Sequence, residues 1–353
     1  TPPTQTQTPP TQTQTPPTPP IPKISAIDGN NNTISDNGYS QSASIQFTFG
    51  SNDTTSVGTI QHECNIDNSK YVTCSSPFVF HNLIKDGKHT FNVRAEDRVG
   101  NKSSSPTSFT WNVDTVSPTT TIDAAVDGKK SPIANGSNSN SNTMSIKFSG
   151  NDTAGNESKG AGISHFECNI DNSKYVTCSS PFVFHNLIKD GKHTFNVRAE
   201  DRVGNKSSSP TSFTWNVDTV SPTTTIDAAV DGKKSPIANG SNSNSNTMSI
   251  KFSGNDTAGN ESKGAGISHF ECNIDNSKYV TCTSPFVFHN SIKDGIHTFT
   301  VLSVDKARNK DATPASFTWT ADTLAPHISI NTATDGNGKF MIGGSNTSSN
   351  SVT

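Results

Sequence analysis

The chain repeats itself with an offset of 104 residues, read from Cys64 to Cys168 to Cys272 and from Trp111 to Trp215 to Trp319. Residues 63–178 return unchanged as residues 167–282, a stretch longer than the period itself. Such a period exceeds the roughly 20–50 residues of a solenoid repeat and matches a whole small module. The repeat therefore predicts a row of separately closed domains, at 22–114, 115–218 and 219–322. Identical adjacent copies suit spacers and multivalent binders, because each copy adds reach or avidity.

Within a repeat no amphipathic helical period of useful length is found. Short alternating runs bounded by Gly, Asn, Asp and Pro occur instead, the pattern of a β-sandwich. The second repeat reads as seven strands: 119–123, 144–149, 165–171, 175–179, 182–186, 193–199 and 211–217. Alternation puts Ile146 and Phe148 on one face, Phe195, Val197 and Ala199 on another, and Phe213, Trp215 and Val217 on a third. These should form a core between two sheets about 10 Å apart. Trp215 is expected to be its central plug; the alternative is an exposed, sugar-stacking ring. The fold class is thus all-β, a tandem of seven-stranded sandwiches.

The six cysteines fall into pairs of equal spacing: Cys64/Cys74, Cys168/Cys178 and Cys272/Cys282. One pair per repeat predicts structural disulfides and an oxidising compartment. Zinc is the competing reading, but it needs four ligands, usually with closer cysteine spacing. A three-residue loop at Asn172-Ser173-Lys174 would pair Asp171 with Tyr175, Ile170 with Val176, and Cys168 with Cys178. The cysteines would then be direct cross-strand neighbours, close enough to bridge.

The string ECNIDNSKYVTCSSPFVF, followed by LIKDGKHTFNVRAEDRVGNK and PTSFTWNVD, resembles the bacterial Ig-like, fibronectin type III-like repeats of prokaryotic surface proteins and adhesins. The likeness covers residues 63–114, 167–218 and 271–322. It implies Ig-like sandwiches serving as spacers, adhesive modules or accessory domains of secreted enzymes. The third copy departs from the pattern: Arg308 stands where the second has Gly204, and Ser303 where it has Ala199. Asn309 is the residue expected to take the left-handed turn position there.

Residues 1–21 begin TPPTQTQTPPTQTQTPPTPP and read as a Pro/Thr/Gln-rich linker. Proline favours extended polyproline II, at ~3.1 Å per residue, and the threonines offer O-glycan acceptors. Residues 323–353 parallel the opening of the previous repeat and read as the truncated start of a fourth, expected to be disordered or paired elsewhere. A net charge of −3 gives no basic field for nucleic acid or an anionic membrane. No apolar run is long enough to span a membrane.

No Ser–His–Asp order, paired carboxylates, phosphate loop or HExxH motif stands out. His165, His185 and His193 read as structural, and by alternation His193 points inward or sits at its strand's edge. No catalytic residue is assigned, and the chain reads as non-enzymatic. Calcium is a sharper possibility. In a fibronectin-like topology Asp114, Asp152, Asp201 and Asn205 converge where the second repeat begins. Asp218, Asp256, Asp305 and Asn309 do so for the third. Calcium takes 6–8 oxygen ligands; the alternative is that these residues only shape turns. Sequons at Asn31, Asn52, Asn101, Asn135, Asn151, Asn156, Asn205, Asn239, Asn255, Asn260 and Asn346 offer N-glycan acceptors. The leading functional expectation is an extracellular cell-surface stalk or adhesin whose partner is a surface or matrix ligand, a glycan or a neighbouring subunit. A filament or surface-layer subunit and an accessory region of a secreted hydrolase are the alternatives.

Overall fold

The computed structural model describes residues 21–351 except 53–58, 83, 99, 154–159, 186–187, 258–263, 290–291, 345 and 347–349. The Pro/Thr/Gln-rich stretch 1–20, the sequons at Asn156 and Asn260, and the side chain of Asn52 lie outside the described residues. Every regular element described is a strand. The chain divides into two compact units, Thr1–Val217 and Asp218–Thr353.

The first unit holds two repeats. Its first nine strands are β1 (Ile21–Asp28), β2 (Thr33–Ile34), β3 (Gly38–Ser40), β4 (Ile45–Asn52), β5 (Thr59–Ile66), β6 (Val72–Cys74), β7 (Phe78–Phe80), β8 (Gly87–Asp97) and β9 (Thr107–Val113). They form two sheets, ordered β2-β1-β4-β7 and β3-β9-β8-β5-β6. Next come β10 (Thr119–Asp127), β11 (Asn138–Ser139), β12 (Met144–Asn151), β13 (Ile163–Ile170), β14 (Val176–Cys178), β15 (Phe182–Phe184), β16 (Gly191–Asp201) and β17 (Thr211–Val217). Their sheets are β10-β12-β15 and β11-β17-β16-β13-β14.

The second unit repeats that plan. It contains β18 (Thr223–Asp231), β19 (Ser241–Ser243), β20 (Met248–Asn255), β21 (Ile267–Ile274), β22 (Val280–Cys282), β23 (Phe286–Phe288), β24 (Gly295–Asp305) and β25 (Ala315–Ala321). The sheets are β18-β20-β23 and β19-β25-β24-β21-β22.

This is the all-β, fibronectin type III-like sandwich: three strands in one layer and four in the other, joined by antiparallel pairs. To the seven expected strands the fold adds a short one, β3, β11 or β19, that runs parallel to the last strand of its repeat, and in the first repeat also β2, antiparallel to β1. Among the described residues no sheet takes strands from two repeats.

Alternation sets the core. In the second repeat Met144, Ile146 and Phe148 of β12 face Phe195 and Val197 of β16 and Phe213, Trp215 and Val217 of β17. Trp215 is 1% exposed, so it is the plug and not a surface ring. Truncating such a residue costs about 3–5 kcal/mol, a large part of a small domain's total stability. Each repeat has its own hydrophobic cluster of this kind.

Disulfides join Cys64–Cys74, Cys168–Cys178 and Cys272–Cys282. The hairpin register differs from the expectation. Cys168 lies opposite Val176, and Cys178 opposite Phe166, so the bridge joins diagonal neighbours with Cα atoms 5.8 Å apart. The cause is the turn. Asp171 and Asn172 both take positive φ, 50° and 59°, and Ser173 N–H donates to Ile170 C=O. That is a two-residue turn of the I′ kind in place of a three-residue loop at 172–174, and it tolerates Asp and Asn because short polar side chains visit the left-handed region. Alone it would set Cys168 opposite Tyr175, and one extra residue before β14 moves the pairing to Val176.

A second correction concerns the third repeat's turn after β24. Arg308 itself takes the left-handed conformation, at φ 76°, in the place of Gly204 at φ 97°; Asn309 does not. The Asp305 carbonyl still accepts the Arg308 N–H, so the turn's hydrogen bond outweighs the steric cost at a residue with a Cβ. Beyond β25, Asp335 accepts the N–H groups of Asn337 and Lys339. Asp231 makes the same turn with Lys233 and Ser235. Ile328 and Ile330, at 86% and 84% exposure, are solvent-facing.

Candidate functional site

Three aspartates meet in the first unit. Asp114 follows β9, Asp152 follows β12, and Asp201 ends β16. One carboxylate oxygen from each lies within 4.8 Å of the others. The second unit builds the same group from Asp218, Asp256 and Asp305. Asp114, Asp201, Asp218 and Asp305 are at most 2% exposed. Among the described residues no lysine or arginine pairs with these six carboxylates.

Backbone N–H groups supply part of the missing positive charge. Ala161 donates to Asp114 and Gly162 to Asp152, each at 2.6 Å. Val203, Gly204 and Asn205 all donate to Asp201 Oδ1. Gly160 is required sterically, since a Cβ there would collide with the Asp152 carboxylate. Asn205 joins the group through Nδ2, which donates to Asp201 Oδ2 and to the Asp114 carbonyl. Asn309 does the same with Asp305 and Asp218. In this arrangement the two asparagines present nitrogen to the cluster and position its carboxylates.

One atom in each group is left over. Asp152 Oδ1 and Asp256 Oδ1 are shielded from solvent and have no hydrogen-bond partner. Burial raises the pKa of both residues. The neighbouring carboxylates add to the rise, while the Gly162 and Gly266 N–H groups oppose it. Asp305 is raised as well, first by burial and then by Asp218, against its bonds to Asn309. A buried, all-oxygen donor set with an orphaned carboxylate oxygen fits a hard cation of the calcium class.

His193 is tied into the fold through both ring nitrogens. His193 points inward at the start of β16, beside Trp215 at 5.6 Å between ring centres. Its Nδ1 lies 2.7 Å from Asp171 Oδ2 and its Nε2 2.7 Å from the Lys189 carbonyl. His165 lies near Glu167 and Glu200, but these acids are held by cations. Burial favours a higher Glu167 pKa; hydrogen bonds from Arg198 and Lys206 outweigh it and hold the carboxyl low. Among the sequons, Asn31, Asn135, Asn151, Asn239, Asn255 and Asn346 are exposed. Asn101 and Asn205 are half-buried, with Nδ2 donated to Asp97 and Asp201.

A feature not legible in the sequence lies on the outer face of each five-stranded sheet in the first unit, the one built on β5 and β8 and the one built on β13 and β16. There Tyr71 and Arg94 stack at 4.1 Å beside a groove of about 640 Å³. Tyr175 and Arg198 repeat the stack beside one of about 620 Å³. The partners are 23 positions apart: β6, which follows Tyr71, and β8, which holds Arg94, both pair with β5.

No family model matches the chain, and no curated protein matches it in sequence. Its solved structural neighbours are fibronectin type III-like modules and bacterial adhesin repeats. The fibronectin(III)-like modules of Clostridium thermocellum CbhA share 16% identity, with 60% of this chain and 100% of theirs covered, at a TM-score of 0.31. A structure concerned with host cell surface retention of a 1.5-MDa bacterial ice-binding adhesin shares 13%, with coverages of 87% and 100% and a TM-score of 0.34. A tetra-tandem repeat from the extending region of a large adhesion protein shares 14%, with coverages of 88% and 94% and a TM-score of 0.28. The assignment to the Ig-like class rests on strand order and register. No helix among the described residues is long and apolar enough to cross a membrane.

Proposed function

We propose that this chain is a non-enzymatic, extracellular stalk and adhesin built from three self-contained modules, at 22–114, 115–218 and 219–322. One observation carries the reading: among the described residues, successive repeats of a single chain close their own sheets and borrow no strand from each other. Modules of that kind add length or binding valence without altering their neighbours. Structural disulfides persist in oxidising compartments, which supports an extracellular location. Residues 323–353 parallel the start of the preceding repeat, in keeping with the turn at Asp335. Protease shaving of intact cells of the source organism tests the proposal. Release of repeat-derived peptides from unbroken cells supports it, and complete protection in unbroken cells refutes it.

Two further parts of the proposal concern the sites. The triads Asp114/Asp152/Asp201 and Asp218/Asp256/Asp305 each hold a calcium-class cation. In the first unit this would fasten the segment between β9 and β10 to the loops that flank it. Melting with calcium and with a chelator tests this; equal melting temperatures refute it. The exposed sequons carry N-glycans, which intact mass before and after amidase treatment would reveal.

A further inference from the structure

We infer that the grooves beside Tyr71 and Tyr175 are two copies of a binding site for a neutral oligosaccharide. This rests on the adhesin reading and names the ligand class for it. The groove walls are unusual for a strand surface. Asn65, next to the end of β5, lies directly opposite Asn92 at the centre of β8, although asparagine is depleted in strands. Asn92 Nδ2 donates to Asn65 Oδ1 at 2.8 Å, and Ser108 Oγ donates to Asn92 Oδ1 at 2.6 Å. The same ladder joins Asn169, Asn196 and Ser212 in the second copy.

These side chains are surplus to folding, because the third repeat dispenses with them. There Thr300 replaces Asn196 and Leu302 replaces Arg198. Strands β21 and β24 still pair, with the same bulge and register. The change leaves Asn273 Oδ1 buried without a partner, while its counterpart Asn169 keeps one. A local departure from strand preference that the fold does not need marks a site under another constraint.

The chemistry selects the ligand. Arg94 is paired with Glu63, its Nε donating at 2.6 Å, so the stack itself carries no net charge, and Lys70 is the other cation along the groove. What remains is a fixed array of amide, hydroxyl and carboxylate groups beside a flat Tyr–Arg platform. That array matches a solute rich in hydroxyls with apolar C–H faces. The groove volumes fall within the ~300–1,000 Å³ of small-ligand sites. Because internal hydrogen bonds already order its walls, binding costs little side-chain entropy. Two copies on one chain add avidity on a multivalent surface.

The test is a printed glycan array of neutral, sialylated and sulfated oligosaccharides, probed with the full chain. It is compared with a variant carrying N92T, R94L, N196T and R198L, the residues the third repeat already tolerates. Circular dichroism melting verifies that the variant folds. The expected result is binding to neutral glycans that falls at least tenfold in the folded variant. The inference is overturned if no neutral glycan is bound, if the folded variant binds undiminished, or if binding is confined to acidic glycans and collapses with salt. Cell-surface shaving is read separately, so a failed array leaves the stalk reading standing, and a failed shaving leaves the groove result unaffected.

Discussion

Replacing Asp152 and Asp256 by asparagine should produce opposite effects with and without calcium. Like carboxylates no more than 4.8 Å apart repel by about 3.5 kcal/mol per pair at an effective dielectric of 20, and by about 0.9 kcal/mol in water. Each substitution removes two such pairs. The backbone donors at Ala161 and Gly162, and at Ala265 and Gly266, already offset much of that repulsion. A net gain of about 1 kcal/mol per module is therefore expected in chelator, or roughly 5 °C in melting temperature. Asparagine keeps an oxygen for the glycine N–H and turns its amide toward the two remaining carboxylates.

With calcium at 100 times its dissociation constant, the parent gains about 2.7 kcal/mol, and the variant loses that response. Differential scanning calorimetry of both proteins, in chelator and in millimolar calcium, checks the crossover. If the substitutions destabilise the chelated protein, or calcium leaves the parent's melting temperature unchanged, the account of these triads is wrong.

Other perturbations have equally definite outcomes. Reducing the disulfides, each linking residues 10 apart, should cost about 2.7 kcal/mol per module by loop entropy. Melting with and without reductant should show a fall of roughly 10–20 °C. Arg308→Gly should stabilise the third repeat by about 1 kcal/mol, because it relieves a left-handed residue bearing a Cβ; chemical denaturation reads the change. His297 faces two acceptors, the Lys293 carbonyl and the Asp275 carboxylate, so only the imidazolium can donate to both. Burial lowers its pKa, but these two contacts outweigh burial and the net shift is upward from 6.5. Its contribution is thus full below pH 6.5 and lost as pH rises through the folded value. Melting on both sides of that window should show the loss, and His297→Gln should remove that component of the slope.

Much of this architecture is written in the sequence as periodicity. Alternation alone places Ile146, Phe195, Val197, Phe213 and Trp215 inside, since a strand's side chains have only two faces to choose from. The aspartate triads are also legible, because once strand order is known the loops after β12 and β16 must meet the segment entering β10. The hairpin register is not. It depends on whether Asp171 and Asn172 adopt left-handed angles, and a two-residue turn and a three-residue loop share the same letters. The parallel strand β11 is too short to show any period. The Tyr71–Arg94 stack escapes notice because Tyr71 lies between β5 and β6 and Arg94 in β8, and neither is unusual on its own.

Force spectroscopy on the whole chain addresses the independence of the modules, on which the stalk reading depends. Three separate unfolding events are predicted, each releasing about 300 Å of chain at ~3.3–3.6 Å per residue. Reductant should lengthen each by roughly 35 Å, the slack held in its hairpin. Fewer than three events, or lengths that reductant leaves unchanged, would contradict the claim that every repeat closes and is cross-linked on its own.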